Sequence, residues 1–448
     1  MQTLNLYNSD ALKSNIVSNV MYNKIVEWNR MLKHETETVK KFGSSGILMD
    51  IAKTVSDPIN EEVSVVAKNE KLDSVIKKLN EKNVDLVQNM ALRGSCLVRP
   101  IYANGKTQFE IIPLGNYLPT SYDFDGTLTG AKIIKSVTEK NKEYALVENH
   151  VYSGAEKTHT VTLELFNKEE NGNLKKVSLQ SIESTRELAE NFVYSNCDCP
   201  LMIEFRNRDP NYIDGSNVPV NIFSGDESLI SDAEEQYNNF KWEQKAGRTH
   251  LFADVDMFKP KQGEEENVSL PVELHDVVVK YEGYGTGDEK IQTVSPTLRT
   301  TDQINAFNEI LRRIENRCRI GKGSLSNLSE APQTATQYTG GKATLYHTVD
   351  VYESELEEKY LQSAYCFAYL LNLYEDNEFN YDILISYNDA GRKDPEKVRL
   401  AALQEVQNGI ISEAEYRMRV FGEDEETALS KVPEKKENTN SFADYFGA

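Results

Sequence analysis

Long apolar segments are absent from this sequence. Every apolar run is far shorter than the ~20 residues that a helix needs to cross a bilayer, so we expect no membrane span. The N-terminal stretch MQTLNLYNSDALKSN is polar and lacks the apolar centre of a signal peptide. These absences predict a protein that functions away from membranes.

Cysteine is also scarce. Five cysteines in 448 residues do not form the dense framework of a disulfide-stapled domain, so a reducing cytoplasm is the expected compartment. Cys197 and Cys199 flank Asp198 and would supply half of a metal site, but the sequence adds no second pair and no nearby histidine. We therefore expect no metal and no other cofactor.

Positive charge is in deficit. The chain has 50 Lys and Arg against 71 Asp and Glu, a net charge of −21. A broad face that grips DNA needs many Lys or Arg contacts to phosphate, and this composition argues against one. The deficit is still compatible with a protein that surrounds DNA without holding it.

Complete catalytic motifs are missing as well. The stretch GKGS (321–324) lacks the four-residue spacer of a phosphate-binding P-loop, so ATP hydrolysis by that route is not expected. The six histidines are scattered without an i,i+4 pair, which argues against a metalloprotease-like site. Each histidine is interpreted as a surface or strand residue.

One stretch, DFDGTLT, nevertheless suggests chemistry. It resembles the first motif of the Mg²⁺-dependent haloacid dehalogenase phosphatases, which would make Asp123 the nucleophile and Asp125 the general acid/base. That motif follows a buried parallel strand, whereas Pro119 removes a ladder hydrogen bond just before it. We therefore interpret Asp125-Gly126 as a tight turn between extended segments, and keep the phosphatase as an alternative.

The apolar periodicity predicts a mixed, α+β fold. Helical spacing begins after Ser9 or Asp10, either of which would cap a first helix, and ends near Gly94. The period then changes to two, with a strong hairpin signal at Asn104-Gly105. The stretches AKIIKSV, YALVENHVY and HTVTLELF continue as short strands and form a β meander.

Two helices bracket a second β-containing segment. The first is predicted at 226–247 and the second from Thr300 to Ile320, with a capping box at Thr300 and Gln303 and a stop at Gly321. Apolar residues spaced 3, 4 and 3 apart form a seam that should face a partner helix. The seam residues are Ile304, Phe307, Leu311 and Ile314.

The C-terminal part is predicted to be largely helical. A long amphipathic helix runs to Tyr374, the stretch NYDILISYND forms a strand, and Asp394-Pro395 begins another helix. Ser412 and Glu415 have the spacing of a further capping box. The tail after Pro433 has the composition of a disordered segment.

The order of these segments resembles that of the portal proteins of tailed bacteriophages. Those proteins form the ring at one vertex of the capsid. The stretches that carry the resemblance are RGSCLVRPIYANGKTQFEIIPLGNYLPTSYDFDGTLTGAKI (93–133), AGRTHLFADVDMF (246–258), TTDQINAFNEILRRIENRCRIGKGSLSN (300–327), TATQYTGGKATLYHTVDVYESELEEKY (334–360) and EVQNGIISEAEYRMRVFGEDEETA (405–428).

The resemblance implies a portal fold with named parts. The parts it implies are a wing (1–225), a first stem helix (226–247), a clip (248–296), a second stem helix (297–321), a tunnel loop (322–342), a long wing helix and strand (343–394), a small helical crown (395–432) and a disordered tail (433–448).

The resemblance also implies a function without catalysis. Such a ring, most often a dodecamer, admits double-stranded DNA during packaging and releases it on ejection. Its partners are the terminase large subunit, the major capsid and scaffolding proteins, and a head–tail adaptor. It would be assembled in the host cytoplasm and reside in the virion, and another ring component of a phage tail is the second alternative.

The tunnel loop is the segment expected to face DNA. Glycines at both of its ends predict movement, and its two lysines would supply phosphate contacts without sequence specificity. The candidate DNA-facing residues are Lys322, Ser324, Ser326, Asn327 and Lys342.

Overall fold

The structure, a computed structural model, divides the chain into two compact units. The first comprises Met1–Glu330 and Thr344–Ser386, and the second Ala331–Ala343 and Tyr387–Ala448. The residues described are 14–140, 142–168, 174–247, 250–254, 278–281, 291–294, 297–326, 342–387, 395–408, 411–421 and 425–431.

Helices and strands both contribute substantially, in agreement with the α+β prediction. The helices are α1 (Asn19–Leu32), α2 (Glu37–Phe42), α3 (Ile47–Glu62), α4 (Glu70–Asn80), α5 (Asn83–Arg93), α6 (Glu227–Ala246), α7 (Thr300–Arg317), α8 (Ala343–Glu375), α9 (Pro395–Gln407), α10 (Glu413–Phe421) and α11 (Glu425–Ser430). The strands are β1 (Val63–Ala67), β2 (Ser95–Ala103), β3 (Lys106–Pro113), β4 (Tyr117–Tyr122), β5 (Leu128–Glu139), β6 (Lys142–Ser153), β7 (Thr158–Lys168), β8 (Leu174–Val177), β9 (Asn191–Ser195), β10 (Ile203–Arg206), β11 (His250–Asp254), β12 (Val278–Tyr281), β13 (Ile291–Val294) and β14 (Ile383–Tyr387).

The first described helix begins later than the sequence predicted. Residues 14–18 precede α1 without helical structure, and Ser9 and Asp10 lie outside the described residues. Ser18 is the N-cap, because its extended backbone lets its hydroxyl accept a hydrogen bond from the Met21 N–H at 3.1 Å.

The β meander forms two sheets in the first unit. One is three-stranded in the order β10-β2-β3, and the other runs β4-β5-β6-β7-β8 with β9 also paired to β7, all antiparallel. The Asn104-Gly105 hairpin prediction is confirmed, since both residues have positive φ (54° and 74°) between β2 and β3.

Buried polar contacts join the two sheets. Arg99 on β2 lies opposite Glu110 on β3 and also binds Glu148 on β6. The hydroxyls of Tyr117 and Tyr122, both on β4, donate to the Glu204 carboxylate on β10 at 2.7 and 3.1 Å. Each contact compensates part of the cost of burying these polar groups.

The second unit contains α9, α10 and α11. The predicted capping box is confirmed at the start of α10, where the Ser412 N–H donates to Glu415 at 2.7 Å and the Glu415 N–H donates to the Ser412 hydroxyl at 3.1 Å. Asp394, the predicted cap of α9, lies outside the described residues, as does the predicted tail.

In the part of the chain that the structure describes, no helix combines the length and the apolar character that a membrane span requires.

Candidate functional site

Helices α6 and α7 form an antiparallel hairpin. At one end Asp226, just before α6, binds Arg317 at the end of α7 at 2.6 Å. At the other end Glu243 accepts hydrogen bonds from the Arg299 N–H at 3.1 Å and from the Gln303 amide at 2.8 Å. We call this unit the α6–α7 hairpin, its 226/317 end the base and its 243/299 end the tip.

The predicted capping box of α7 is wrong. The N-cap is Arg299, and it makes no side-chain capping bond. The Gln303 amide is instead bonded across the hairpin to Glu243, so a partner on the neighbouring helix replaces the local one.

The apolar seam of α7 is only half covered. Leu311 and Ile314 are buried, and the partly buried Phe307 contacts Tyr237 of α6 with ring centroids 6.2 Å apart. Ile304 was predicted to belong to this packed seam, but 43% of its surface is exposed. Since Trp242 of α6 is also 65% exposed, the tip carries apolar surface that the described residues do not cover.

Two buried carboxylates hold α6 at the base. Glu227 accepts a hydrogen bond from the Trp28 indole of α1 at 2.8 Å. Glu234 accepts bonds from the Ser44 hydroxyl and from the N–H and hydroxyl of Ser45, at 2.7 to 2.9 Å. The loop between α2 and α3 is thereby fixed against the hairpin.

Helix α7 ends before the predicted stop. Its last residue is Arg317, three residues short of Ile320, and Arg319 has a left-handed φ of 54°. Gly321 also has positive φ (80°), but it lies within the loop that follows. The chain therefore reverses between the end of the helix and Gly321.

The buried carboxylate of Glu315 fixes the first part of the predicted tunnel loop. It accepts hydrogen bonds from the N–H groups of Gly323 (3.1 Å), Leu325 (2.6 Å) and Ser326 (2.6 Å), and from the Ser326 hydroxyl (2.9 Å). The Ser324 hydroxyl adds a bond to the Ile320 carbonyl at 2.6 Å. The movement expected from the glycines of this loop stays a prediction, and four donors of residues 323–326 are engaged with Glu315.

The five candidate DNA-facing residues are therefore not equivalent. Lys322 is exposed, Ser324 is half-buried, and Ser326 is buried against Glu315. Lys342 is half-buried just before α8. Asn327 and the segment 327–341 lie outside the described residues.

Between α6 and α7 the described residues contain three strands. β11 pairs with β12 in parallel and with β13 in antiparallel orientation. These strands fall within the predicted clip, whose remaining residues at 248–249, 255–277, 282–290 and 295–296 lie outside the described part.

Asp123 lies in a hairpin turn between β4 and β5. Its carboxylate accepts hydrogen bonds from the N–H groups of Asp125 (3.1 Å) and Thr127 (2.7 Å), and Gly126 has positive φ (79°). The turn interpretation is confirmed, and the carboxylate supports the backbone of the turn. β4, which contains Pro119, is an edge strand with an antiparallel neighbour.

The structure brings a third cysteine beside the predicted pair. The Cys366 thiol of α8 donates a hydrogen bond to the carbonyl of Pro200 at 3.4 Å. Pro200 is the residue that follows Cys199 in the sequence. Within the described ranges, no group of three or more His, Cys, Asp or Glu side chains is arranged to hold a metal ion.

A buried histidine pair escaped the sequence interpretation. His150 of β6 and His159 of β7 are joined by a hydrogen bond of 3.1 Å between Nδ1 of the former and Nε2 of the latter. The β6–β7 register pairs His150 with Val161 and Tyr152 with His159, so both rings lie on one face of the sheet. Aligning the two predicted strands as an antiparallel hairpin would have placed His150 and His159 close together on one face.

Burial controls the ionisation of these histidines. Desolvation lowers the pKa of both to about 3, helped by the positive charges of Arg99 and Lys135 at His150 and by the neighbouring His150 at His159. Glu148 lies 3.6 Å from His150 Nε2, and the Tyr194 ring lies tilted beside His159 with the ring centroids 6.4 Å apart.

A comparison of the sequence with models of known protein families finds no match, and a comparison with curated proteins finds none either.

We expect Glu315→Gln and Glu315→Ala to release residues 323–326 from α7. Hydrogen bonds to a charged group contribute roughly 1.5–3 kcal/mol, and Gln keeps one acceptor oxygen while Ala keeps none. Amide hydrogen exchange of Gly323, Leu325 and Ser326 should be fastest in the Ala variant and intermediate in the Gln variant. Glu309→Ala, an exposed change on the same helix, is the control. Unchanged exchange in Glu315→Ala would contradict the anchoring role.

The histidine pair predicts a pH-dependent stability. Below pH ~6.5 the unfolded histidines take up protons while the folded pair stays neutral until about pH 3, so the free energy of unfolding falls as the pH falls. Each histidine contributes a slope of about 1.4 kcal/mol per pH unit. His159→Gln should therefore flatten the slope between pH ~6 and ~4, measured by urea unfolding.

The exposed His347 provides the control for this measurement. His347→Gln should leave the slope as in the wild type, and the carboxylates that titrate in the same range are common to all three proteins. Equal slopes for His159→Gln and the wild type would show that the pair is not neutral in the folded state.

Proposed function

We propose that this chain is the subunit of a portal-type ring through which double-stranded DNA enters and leaves a phage capsid. The observation that carries the proposal is the α6–α7 hairpin, which is buried at its base and exposes apolar side chains at its tip. A strand-containing segment interrupts the hairpin, and an anchored loop follows it. This order of parts is the one that the resemblance to portal proteins implies.

The tip of the hairpin supports assembly of several copies. Trp242, Ile304 and Leu298 are 65%, 43% and 38% exposed, and they lie near the same end of the two helices. Clustered apolar surface of this kind is typical of interaction sites. If the hairpin of one copy packs beside that of the next in a head-to-tail manner, the interface is heterologous. A rotation between copies that closes after twelve of them then gives the ring that we propose.

The net negative charge of the chain suits a channel through which DNA moves better than a site that binds DNA tightly. Numerous phosphate contacts would prevent a duplex from sliding past the subunits. Each contact releases counterions and so strengthens binding. With a net charge of −21 and an exposed Lys322 after α7, the chain offers few such contacts. In this proposal Lys322 touches phosphate without selecting a sequence.

The remaining partners follow from the same proposal. The segment between α6 and α7, with its three-stranded sheet, would receive the terminase large subunit and later the head–tail adaptor. The major capsid and scaffolding proteins would surround the ring, which is assembled in the host cytoplasm and resides in the virion. The energy for packaging would come from the terminase.

The two alternatives are less well supported by the geometry. A phosphatase using Asp123 and Asp125 would need a nucleophilic carboxylate, whereas Asp123 is occupied by two backbone N–H groups in an exposed turn. Another ring component of a phage tail would also explain the apolar tip. It would not account for the segment order of the whole chain.

The proposal predicts rings that depend on the hairpin tip. Full-length protein should form rings with a central hole by electron microscopy and a dodecamer by native mass spectrometry. Trp242→Glu combined with Ile304→Glu should give folded monomers, because both side chains are exposed in the single chain and a change there alters its stability by only about 0.5 kcal/mol.

Phe124→Ser is the matched control, since Phe124 is fully exposed in the β4–β5 turn and should not affect the ring. A monomeric wild type would refute the ring. Rings formed normally by the double variant would place the interface elsewhere on the chain.

A further inference from the structure

A cavity of about 380 Å³ lies between the two sheets and the last turns of α8. This volume is within the ~300–1,000 Å³ range of small-molecule sites. Most of its wall is apolar, and the stacked rings of Tyr102 and Tyr374, 4.6 Å apart, form one side. The apolar wall residues include Val161, Leu163, Leu188, Phe192, Leu201 and Leu370.

The polar side of the cavity contains unpaired atoms. Arg99 Nε, His150 Nε2 and His159 Nδ1 are buried without a hydrogen-bond partner, and all three residues line the cavity. His150 and His159 are 4% and 1% exposed. Buried polar atoms are nearly always bonded in folded proteins, so this group of atoms indicates a partner that enters from the cavity.

The tautomers of the two histidines follow from the neighbouring charge. Glu148 Oε2 lies 3.6 Å from His150 Nε2 and favours a proton on that nitrogen. His150 Nδ1 then accepts the hydrogen bond from His159 Nε2–H, which leaves a lone pair on His159 Nδ1. The cavity therefore presents an acceptor at His159 and a donor at Arg99 Nε–H.

The charges around the cavity are already balanced. Arg99 pairs with Glu110 at 2.7 Å and with Glu148, and Lys135 binds Glu110 at 2.8 Å. Two positive groups thus face two negative groups. A charged ligand would bury an additional charge without a counter-ion, which is costly.

We propose that this cavity binds a small, uncharged aromatic molecule that carries a hydroxyl group. The hydroxyl donates its proton to His159 Nδ1 and accepts the Arg99 Nε–H, while the ring packs against the apolar and aromatic wall. A hydroxyl fits because it is both donor and acceptor. This binding activity is independent of ring assembly and goes beyond the proposed function.

Fluorine NMR titration of the full-length protein tests the proposal with three probes of similar size. We expect saturable binding of 4-fluorophenol, about tenfold weaker binding of fluorobenzene, which lacks the hydroxyl, and at least as large a loss for 4-fluorobenzoate. Absence of saturation by 4-fluorophenol would show that the cavity holds only water and would overturn the proposal. Tighter binding of 4-fluorobenzoate would overturn it as well.

Two variants locate the site. His159→Leu should bind 4-fluorophenol with a preference over fluorobenzene well below tenfold, since the acceptor at His159 is removed and the Arg99 donor remains. Leu188→Trp adds bulk at a 40% exposed wall position and should abolish binding of both, and it remains informative if His159→Leu does not fold. His347→Gln, at an exposed histidine outside the cavity, should bind like the wild type. A persistent tenfold preference in His159→Leu, or wild-type binding by Leu188→Trp, would refute the assignment.

Discussion

The buried carboxylate of Glu315 determines how the chain leaves α7. A carboxylate transferred from water to a protein interior is destabilising by several kcal/mol unless donors replace its hydration. Here three backbone N–H groups and one hydroxyl from residues 323–326 provide those donors. If residues 323–326 moved away from α7, the Glu315 carboxylate would be buried without hydrogen-bond donors. These bonds therefore determine the direction in which the loop begins.

Helix α6 also contains buried carboxylates that accept hydrogen bonds from distant segments. Glu227 is bonded to Trp28 and Glu234 to the Ser44–Ser45 segment, so helices far apart in the sequence meet at one base through acidic side chains. Among the described residues, the tip contacts include the ion pair between Glu243 and the exposed Arg299, and a pair with an exposed partner contributes little. The buried carboxylate contacts of α6 therefore lie where the hairpin enters the fold, and its exposed apolar residues lie at the other end.

The sequence predicts what depends on near neighbours. The period of α7, the Asn104-Gly105 turn and the capping box of α10 all involve residues within four positions of each other. The misplaced features depend on distant partners: Glu243 displaces the local cap of α7, and Glu315 resembles an ordinary helix-surface acid until its loop folds back. The seam spacing likewise shows that Ile304 shares a face of α7 with Ile314. It does not show that the packing partners which bury Ile314 fail to reach Ile304.

Lys322, the exposed lysine beside these donors, does not take part in neutralising Glu315. Because backbone N–H groups and Ser326 satisfy this carboxylate, the loop does not need Lys322 to neutralise it, and Lys322 stays at the surface. A lysine committed to a buried ion pair would be unavailable to phosphate, whereas Lys322 is exposed and adjoins a turn whose N–H groups are bonded to Glu315. In the ring that we propose, an anchored loop start with an exposed lysine would present its charge at a similar place in each subunit, which would suit repeated weak contacts to the phosphates of a moving duplex.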